Sequence, residues 1–401
     1  MTRVSNNTFY QRAFEDFQSH QSAIAKLQQQ IGSGRKILQP SDDPAGAARS
    51  LDIQSVLNGL ETYGTNAGLA DLRLSLEDTT LAGVGDLLVR VKELALAANS
   101  GIQTDESRNA YRVEVEQRLK ELLDFSNVRD ANGDYLFAGF KGDTQPFDIS
   151  SGTASYNGDQ GVRELQISVT RQIASADSGD RVFMRSPAGN GKFSVSAQSA
   201  NTGTGILSAG SVVDLASYLA HDYSIRFTSA TNFDVIDDTL GTPVLSGQSF
   251  SPAGAINFNG LGVSISGQPA AGDRFDISPN SGRPIFDTLT EFINAVSQAP
   301  ANPAASARLN QRLNGVIADL DQAIGHVLDV RTSVGARQNA LQAVASESED
   351  LRVELKTNLS DIEDVELDVA IGRLQQRMNG LQAAQQTFIS ISRLNLFDLL
   401  R

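Results

Sequence analysis

The chain has 401 residues, which is enough for two or three domains. Hydrophobic residues make up 40% of it and charged residues 20%, as in an ordinary folded protein, while the formal net charge is −14. A phosphate backbone needs a basic partner surface, and an anionic membrane repels an acidic one. We therefore expect neither a nucleic acid nor a membrane among the partners of this chain.

Cysteine is absent, which excludes disulfides, thiolate metal sites and cysteine nucleophiles. Its absence has two interpretations: chance, or passage through a narrow exporter in an unfolded state, where a premature disulfide would block transit. Residues 1–7 lead into polar sequence without an apolar h-region, so we expect no cleaved signal peptide. The sequence contains no apolar run that approaches the ~20 residues of a membrane helix.

Apolar residues recur with heptad spacing at both ends of the chain. The rows comprise Tyr10, Phe17, Ile24, Leu27 and Ile31 near the N-terminus and Leu367, Ile371, Leu374, Met378, Leu381 and Phe388 near the C-terminus. A helix with a narrow apolar stripe cannot cover that stripe alone, so each end needs the other end or a neighbouring subunit. We predict that these side chains form an assembly interface, which makes an assembling protein the first hypothesis.

The first helix is predicted over 8–30, where a Gly-Ser-Gly break ends it. Asp42, Asp43 and Pro44 are suited to the start of a second helix, predicted over 44–99. Adjacent carboxylates could also hold a metal, but at a helix start a cap is the simpler interpretation. We therefore predict no metal site here.

Three further helices are predicted: one capped by Thr104, a long one over 304–348, and a C-terminal one from Leu351 onward. Heptad rows that persist over more than three heptads predict a coiled coil or long bundle. The rows include Leu74, Leu81, Leu88 and Ala95 in the second helix and Leu313, Leu320, Val327, Val334 and Leu341 in the long one. Glu77 and Arg337 interrupt these rows, either because they fix the helix register or because they lie just off the packed faces.

The middle of the chain, residues 141–284, is rich in glycine and in short β-prone runs. We predict strands near 165–169, 224–228, 232–236 and 262–265, and a short helix near Val212–Leu219. The predicted fold class is thus α+β, with long coiled-coil or bundle arms formed by the N- and C-terminal segments and an inserted antiparallel β domain. The predicted domains are terminal assembly segments 1–41 and 352–401, a long-helix bundle 42–140 and 285–351, and the β domain 141–284.

Charge differs between the two ends. Residues 1–40 contain five basic and two acidic residues, whereas 347–401 contain six basic and ten acidic ones. Opposite signs favour association of the ends, although an exposed ion pair contributes only about 0.2–1 kcal/mol. The acidic run over 361–368 is either a solvated face or a contact for the basic N-terminal segment.

The connector between the first two helices carries the most specific motif. Residues 30–48 read QIGSGRKILQPSDDPAGAA. This segment resembles the N-terminal signature of bacterial flagellins and their relatives, and within that group it is most similar to the flagellar hook–filament junction protein family, also called hook-associated protein 3 (FlgL type). The residues that carry the motif are Gly34, Arg35, Pro40, Asp42, Asp43, Pro44 and Gly46, joined by Phe397 in the closing sequence NLFDLL.

Three features favour the junction family over flagellin itself. Pro40 and Pro44 stand where flagellins usually have other residues. The runs YLFAG at 135–139 and YNGDQGVR at 156–163 are similar to the entry of that family's β domain, and the ending with Phe397 is similar to its closing motif. Flagellin, the bulk filament subunit, remains the alternative.

The resemblance implies a structural component of the bacterial flagellum that joins the hook side to the filament by helical head-to-tail assembly. It implies as partners the chain itself in a helical layer, a neighbouring hook-associated protein, the flagellin filament and a cytoplasmic export chaperone on the C-terminal helix. The implied location is the extracellular flagellum, reached without a cleaved signal peptide. We expect no catalytic residues and no cofactor, because an enzyme would need a nucleophile, a base and an orienting group, and the chain has only three histidines.

The narrowness of the two terminal rows leads to a prediction about the free subunit. A fully buried Leu, Ile or Phe side chain contributes about 1.5–3 kcal/mol, so the terminal helices outweigh their ordering cost only when most of these side chains find partners. We expect fast amide hydrogen exchange across residues 1–30 and 365–395 of the monomer, with folding on assembly or chaperone binding. Strong protection of both segments in the monomer would contradict this.

Overall fold

The computed structural model describes residues 6–100, 103–149 and 153–398. The α-helices of these ranges are α1 (Asn6–Ser33), α2 (Pro44–Ala98), α3 (Asp105–Ser126), α4 (Ile285–Val296), α5 (Pro303–Glu363) and α6 (Leu367–Asp398). The strands are β1 (Phe147–Asp148), β2 (Ser155–Tyr156), β3 (Glu164–Gln166), β4 (Gln172–Ala174), β5 (Phe193–Ala197), β6 (Ile206–Leu207), β7 (Ser211–Val212), β8 (Tyr223–Ser229), β9 (Asn232–Asp237), β10 (Thr242–Ser249), β11 (Ala255–Phe258), β12 (Leu261–Ser266) and β13 (Arg274–Pro279). Among the described helices, none combines the length and apolar character needed to cross a bilayer.

The predicted fold class is confirmed, and most helix bounds agree with the prediction. Thr104 caps α3 as expected, since its Oγ1 accepts the N–H of Ser107 at 3.2 Å. The predicted helix break near 348–351 is wrong, because α5 continues to Glu363 and α6 begins only at Leu367. The stretch 349–363 contains no proline or glycine, and its Glu, Leu, Arg and Lys residues favour a helix.

The chain forms two compact units, one of Met1–Thr65 with Val344–Arg401 and the other of Asn66–Ala343. In the second unit, α2, α3, α4 and α5 share one core. The heptad rows predicted for the two long helices are buried there, including Leu81, Leu88, Leu313, Leu320 and Val327. The 3.5-residue spacing of these rows is what allows two helices longer than 50 residues to keep one face toward each other.

The segment predicted as one β domain divides between two cores. Its first part packs on the helices, because Phe147 and Phe183 join Phe137 and Phe286 in an aromatic cluster with ring centroids 5.1–6.0 Å apart. A π-helical turn, Asp180–Met184, carries Phe183 into this cluster. The independent β core begins only at Phe193.

The β core is formed by antiparallel sheets. A five-stranded sheet has the order β10-β9-β8-β13-β5, and a second sheet is arranged around β12, which pairs with β11, β6 and β7. Alternate residues point inward, so Ile225 and Phe275 of the first sheet and Val263 and Ile265 of the second are buried together. The short helix predicted near Val212–Leu219 is wrong: β7 is followed there by turns, in which the Asp214 carboxylate accepts the N–H of Ala216 and the hydroxyl of Ser217.

Two polar side chains of α5 hold the β segment to the helix. Gln311 accepts the N–H of Leu207 at 2.6 Å, and Asp319 accepts the N–H of Gly189 at 2.6 Å. Asp319 also accepts a hydrogen bond from Arg283 at 2.7 Å, while burial raises the pKa of its carboxyl. Gln311 and Asp319 lie eight residues apart, which places them two turns apart on one face of α5.

Glu77 and Arg337 lie within the packed interface rather than off it. Glu77 of α2 is fully buried and accepts the N–H of Asp177 at 3.1 Å. The Asp177 carboxylate in turn accepts hydrogen bonds from Arg337 of α5 and from Arg181. Burial, reinforced by the charge of Asp177, raises the pKa of Glu77 to about 8. The shared contact at Asp177 therefore supports the register interpretation of the two polar positions.

The protonation of Glu77 predicts a pH dependence of stability. Its folded-state pKa lies above its unfolded value of 4.5, so the folded chain holds a proton that the unfolded chain has lost. Stability should therefore fall as pH rises from about 5 to about 8, with a limiting slope of about 1.4 kcal/mol per pH unit for one proton. Glu77→Gln, which keeps the shape of the neutral side chain, should remove this slope in urea unfolding followed by circular dichroism.

Asp71→Asn on the same helix is the matched control, because Asp71 is exposed and should leave the pH slope unchanged. An equal slope in the wild type and Glu77→Gln between pH 5 and 8 would contradict the prediction.

Candidate assembly interface

The two ends of the chain pair as the apolar rows predict. In the first unit α1 contacts α6, and the rings of Phe17 and Phe388 meet edge to face with centroids 5.7 Å apart. The predicted positions that lie partly buried in this unit are Phe17, Ile24, Leu27, Ile31, Leu374, Leu381 and Phe388. The side chains of Tyr10 and Phe397 lie outside the described part of the chain.

The other three predicted positions of α6 do not face α1. Leu367, Ile371 and Met378 are each about half exposed, at 51%, 50% and 51%. Two positions three residues after members of the Leu367 row are covered instead: Ala370 is buried and Ala384 partly buried, while Arg377 between them is exposed. The prediction from sequence chose the larger side chains at the fourth position, whereas these small alanines at the third are the covered ones.

The two helix connectors of the first unit are joined by backbone hydrogen bonds. The N–H of Lys36 donates to the carbonyl of Glu363 at 2.6 Å, and the N–H of Val365 donates to the carbonyl of Gly34 at 2.9 Å. Gly34 has φ +73°, a left-handed conformation that residues with a side chain rarely adopt. Arg35 and Asp364 face each other as a single antiparallel bridge. We call residues 34–36 with 363–365 the connector clasp.

The two adjacent carboxylates of the motif have separate structural tasks. Asp42 accepts the N–H groups of Leu38 and Gln39 and an ion pair from Lys26 at 2.6 Å. The hydrogen bond from Lys26, together with those backbone bonds, lowers the pKa of Asp42. Asp42 thereby ties the connector to α1, through an ion pair whose Lys26 side chain is exposed, and such a pair adds little stability.

Asp43 caps α2, because its Oδ1 accepts the N–H of Gly46 at 2.9 Å. A Cβ at position 46 would lie 2.5 Å from Asp43 Oδ2 and 2.9 Å from the Ile37 side chain, so the cap requires glycine there. Pro44 is the first residue of α2, where its missing N–H costs nothing, and Pro40 lies exposed in the turn before it. The motif residues thus shape the start of α2.

Glu363 anchors the connector clasp, a role that the sequence indicated only as part of an acidic run. Its carboxylate accepts hydrogen bonds from the hydroxyl of Ser50 and from Gln54 at 3.2 Å, both on α2. Arg35 lies 3.5 Å from its second oxygen. Glu363 belongs to the acidic run over 361–368, and Arg35 belongs to the basic N-terminal segment. Their contact agrees with the interpretation in which the acidic run contacts that segment.

Removing the Glu363 side chain should loosen the clasp. Glu363→Ala leaves the donors of Ser50, Gln54 and Arg35 without this acceptor, at a cost of about 1–3 kcal/mol, although alanine favours the helix. Because about 1.4 kcal/mol corresponds to a tenfold change in an equilibrium, amide exchange at Lys36 should accelerate roughly tenfold or more. Glu354→Ala, exposed on the same helix, is the control. Equal exchange rates at Lys36 in the two variants would show that Glu363 does not anchor the clasp.

Comparisons with known proteins agree with this arrangement. Residues 4–141 match the bacterial flagellin N-terminal helical region, and residues 196–279 match the D2-like domain of flagellar hook-associated protein 1. The second match begins at β5 and ends at β13, so it covers the independent β core.

Relatives that match most of the chain identify the family more specifically. Flagellar hook-associated protein 3 of Escherichia coli is 22% identical over 397 residues, covering 99% of both chains. The crystal structure of flagellar hook-associated protein 3 from Legionella pneumophila is 32% identical with a TM-score of 0.74, covering 77% of this chain and 98% of that one. A structure described as the flagellar junction protein FlgL, from the same species, is 31% identical with a TM-score of 0.71, covering 79% and 99%. The chain therefore belongs to the flagellar hook-associated protein 3 family, the FlgL junction proteins.

Proposed function

We propose that this chain is the structural adaptor that joins the hook side of a bacterial flagellum to the filament. The observation that carries the proposal is the likeness over the full length to hook-associated protein 3, which includes the β core as well as the helical ends. The flagellin-type match alone, over 4–141, would fit the filament subunit equally well. The junction role is therefore favoured over flagellin, and it is structural rather than enzymatic.

The paired chain ends explain how such an adaptor would assemble. Leu367, Ile371 and Met378 leave an apolar edge on α6 that the subunit itself does not cover. Covering this edge with neighbouring subunits would bury apolar surface that is now in water. A subunit with different surfaces above and below adds in a head-to-tail manner and forms layers or tubes rather than closed dimers. Its partners would be further copies, a neighbouring hook-associated protein and the flagellin filament.

The same exposed edge suggests how the chain is handled before assembly. An export chaperone that covers α6 in the cytoplasm would shield these apolar side chains and keep the subunit from assembling early. Export in an unfolded state fits a sequence without cysteine, in which no disulfide can form before transit. The final location would be the extracellular flagellum, reached without removal of a signal peptide.

A gene deletion tests the junction role. Cells that lack this chain should keep their hooks, lose swimming and release unattached filament subunits into the medium, because the filament has no layer to attach to. Electron microscopy of the hooks and immunoblots of the medium give the readout, and a plasmid copy of the full chain should restore attachment. Hooks that still carry filaments in the deletion strain would contradict the proposal, and loss of the filament subunit itself from cells and medium would indicate flagellin.

A further inference from the structure

Two grooves lie beside each other in the first unit, along α1 and α6. The basic groove has a volume of about 650 Å³ and is lined by His20, Ala23, Lys26, Leu27, Gln30, Arg373, Gln376, Arg377 and Gly380. The acidic groove, of about 400 Å³, is lined mainly by the α5–α6 turn, including Asp361, Asp364 and Glu366, and also by Lys36 and Arg373. The grooves share Leu27, Gln30 and Arg373, so they adjoin along one side of the helix pair.

The basic groove carries positive charge that the subunit does not neutralise. Of its Lys and Arg side chains, Lys26 pairs with Asp42, whereas Arg373 and Arg377 have no acidic partner among the described side chains. His20 adds a ring nitrogen, Nδ1, that is shielded from solvent and has no hydrogen-bond partner within the described residues. The guanidinium groups of Arg373 and Arg377 are thus unpaired donors for an acceptor from outside the subunit.

The acidic groove carries the opposite surplus. Glu363 is taken up by the connector clasp, and Asp364 accepts the hydroxyl of Ser360. Asp361 and Glu366 are exposed and have no basic partner among the described side chains. The α5–α6 turn therefore presents at least two unpaired carboxylates. The adjoining basic groove has unpaired guanidinium groups and no carboxylate among the described residues of its lining.

We propose that the basic groove of one copy of this chain receives the α5–α6 turn of a second copy, with Arg373 and Arg377 facing Asp361 and Glu366. Charge complementarity selects this occupant, because the unpaired carboxylates of the α5–α6 turn match the unpaired guanidinium groups of the basic groove. Such a contact is heterologous, so it leaves a free groove at each end and continues from subunit to subunit. The inference rests on the proposed function, for which it supplies the contact between copies.

Charge reversal with compensation tests the contact in a deletion strain. The chain with Arg373→Glu and Arg377→Glu should be secreted into the medium without being retained on hooks, and swimming should be lost. Adding Asp361→Lys and Glu366→Lys to the same chain should restore retention and swimming, since the charges are then exchanged. Lys356→Glu, exposed on α5 and outside both grooves, should behave as the wild type.

Comparing complementation by the wild-type chain and by the charge-reversed chain distinguishes a failure of this inference from a failure of the proposed function. If the wild-type chain restores swimming and the Arg373→Glu, Arg377→Glu chain does so equally well, the groove contact is wrong while the junction role stands. If the reversed chain fails and the exchanged chain fails as well, the occupant of the groove is not the turn of a second copy, and the inference is overturned.

Cross-linking decides the point without relying on motility. The chain has no native cysteine, so Glu366→Cys with Gln376→Cys introduces the sole thiols. Glu366 directly precedes α6 and Gln376 lies nearly three turns into it, so about 15 Å separates the two positions along the helix axis. A bis-maleimide shorter than this distance cannot link them within one chain. Isolated flagella should therefore give a ladder of linked subunits, whereas Glu366→Cys with Gln382→Cys, exposed and outside both grooves, should give none. The same monomer band in both variants would overturn the inference.

Discussion

The first unit, and with it the proposed assembly, depends on the pairing of two helices that lie at opposite ends of the sequence. Neither α1 nor α6 is apolar all round, and each has one narrow row that the other covers in part. Full burial of an Ile or Leu side chain contributes about 1.5–3 kcal/mol to stability. A half-buried side chain contributes only a fraction of that free energy, so the partial cover leaves the helix pair weakly stabilised. Neighbours that cover the exposed apolar side chains would therefore stabilise the helix pair, as the proposed assembly requires.

The connector clasp determines where this pair begins. At Gly34 and at Val365 the two chain segments leave their helices side by side, and backbone hydrogen bonds with the Glu363 carboxylate join them. The second unit is held differently, by a continuous apolar seam that includes a buried polar contact between Glu77 and Asp177. A buried polar group of this kind costs stability: Glu77 Oε1 accepts the N–H of Asp177, whereas Oε2 has no hydrogen-bond partner among the described residues. The hydrogen bond at Oε1 favours one alignment of the helices, which supports a role of Glu77 in register.

The sequence predicted the fold class and the long helices because their heptad rows are long and regular. Leu313, Leu320 and Val327 are buried as their spacing required. It misplaced the α5–α6 break, since nothing local at 349–363 stops a helix, and the break is made at 364–366 by contacts with a segment more than 300 residues away. It also missed Ala370 and Ala384, because small alanine side chains give almost no hydrophobic signal. Residues 141–284 were predicted as one β domain, although Phe147 and Phe183 pack in the helical core. These two residues have no local feature that assigns them to the helical core rather than to the β core.

The most direct test of the pairing is cross-linking of its two ends in assembled flagella. With Phe17→Cys and Phe388→Cys as the sole thiols, a short bis-maleimide should link the two positions within one subunit, seen as a monomer band of altered mobility. If the ends do not pair, the reagent will leave the monomer unchanged or link different subunits only, and the central role given to the terminal helices would be contradicted.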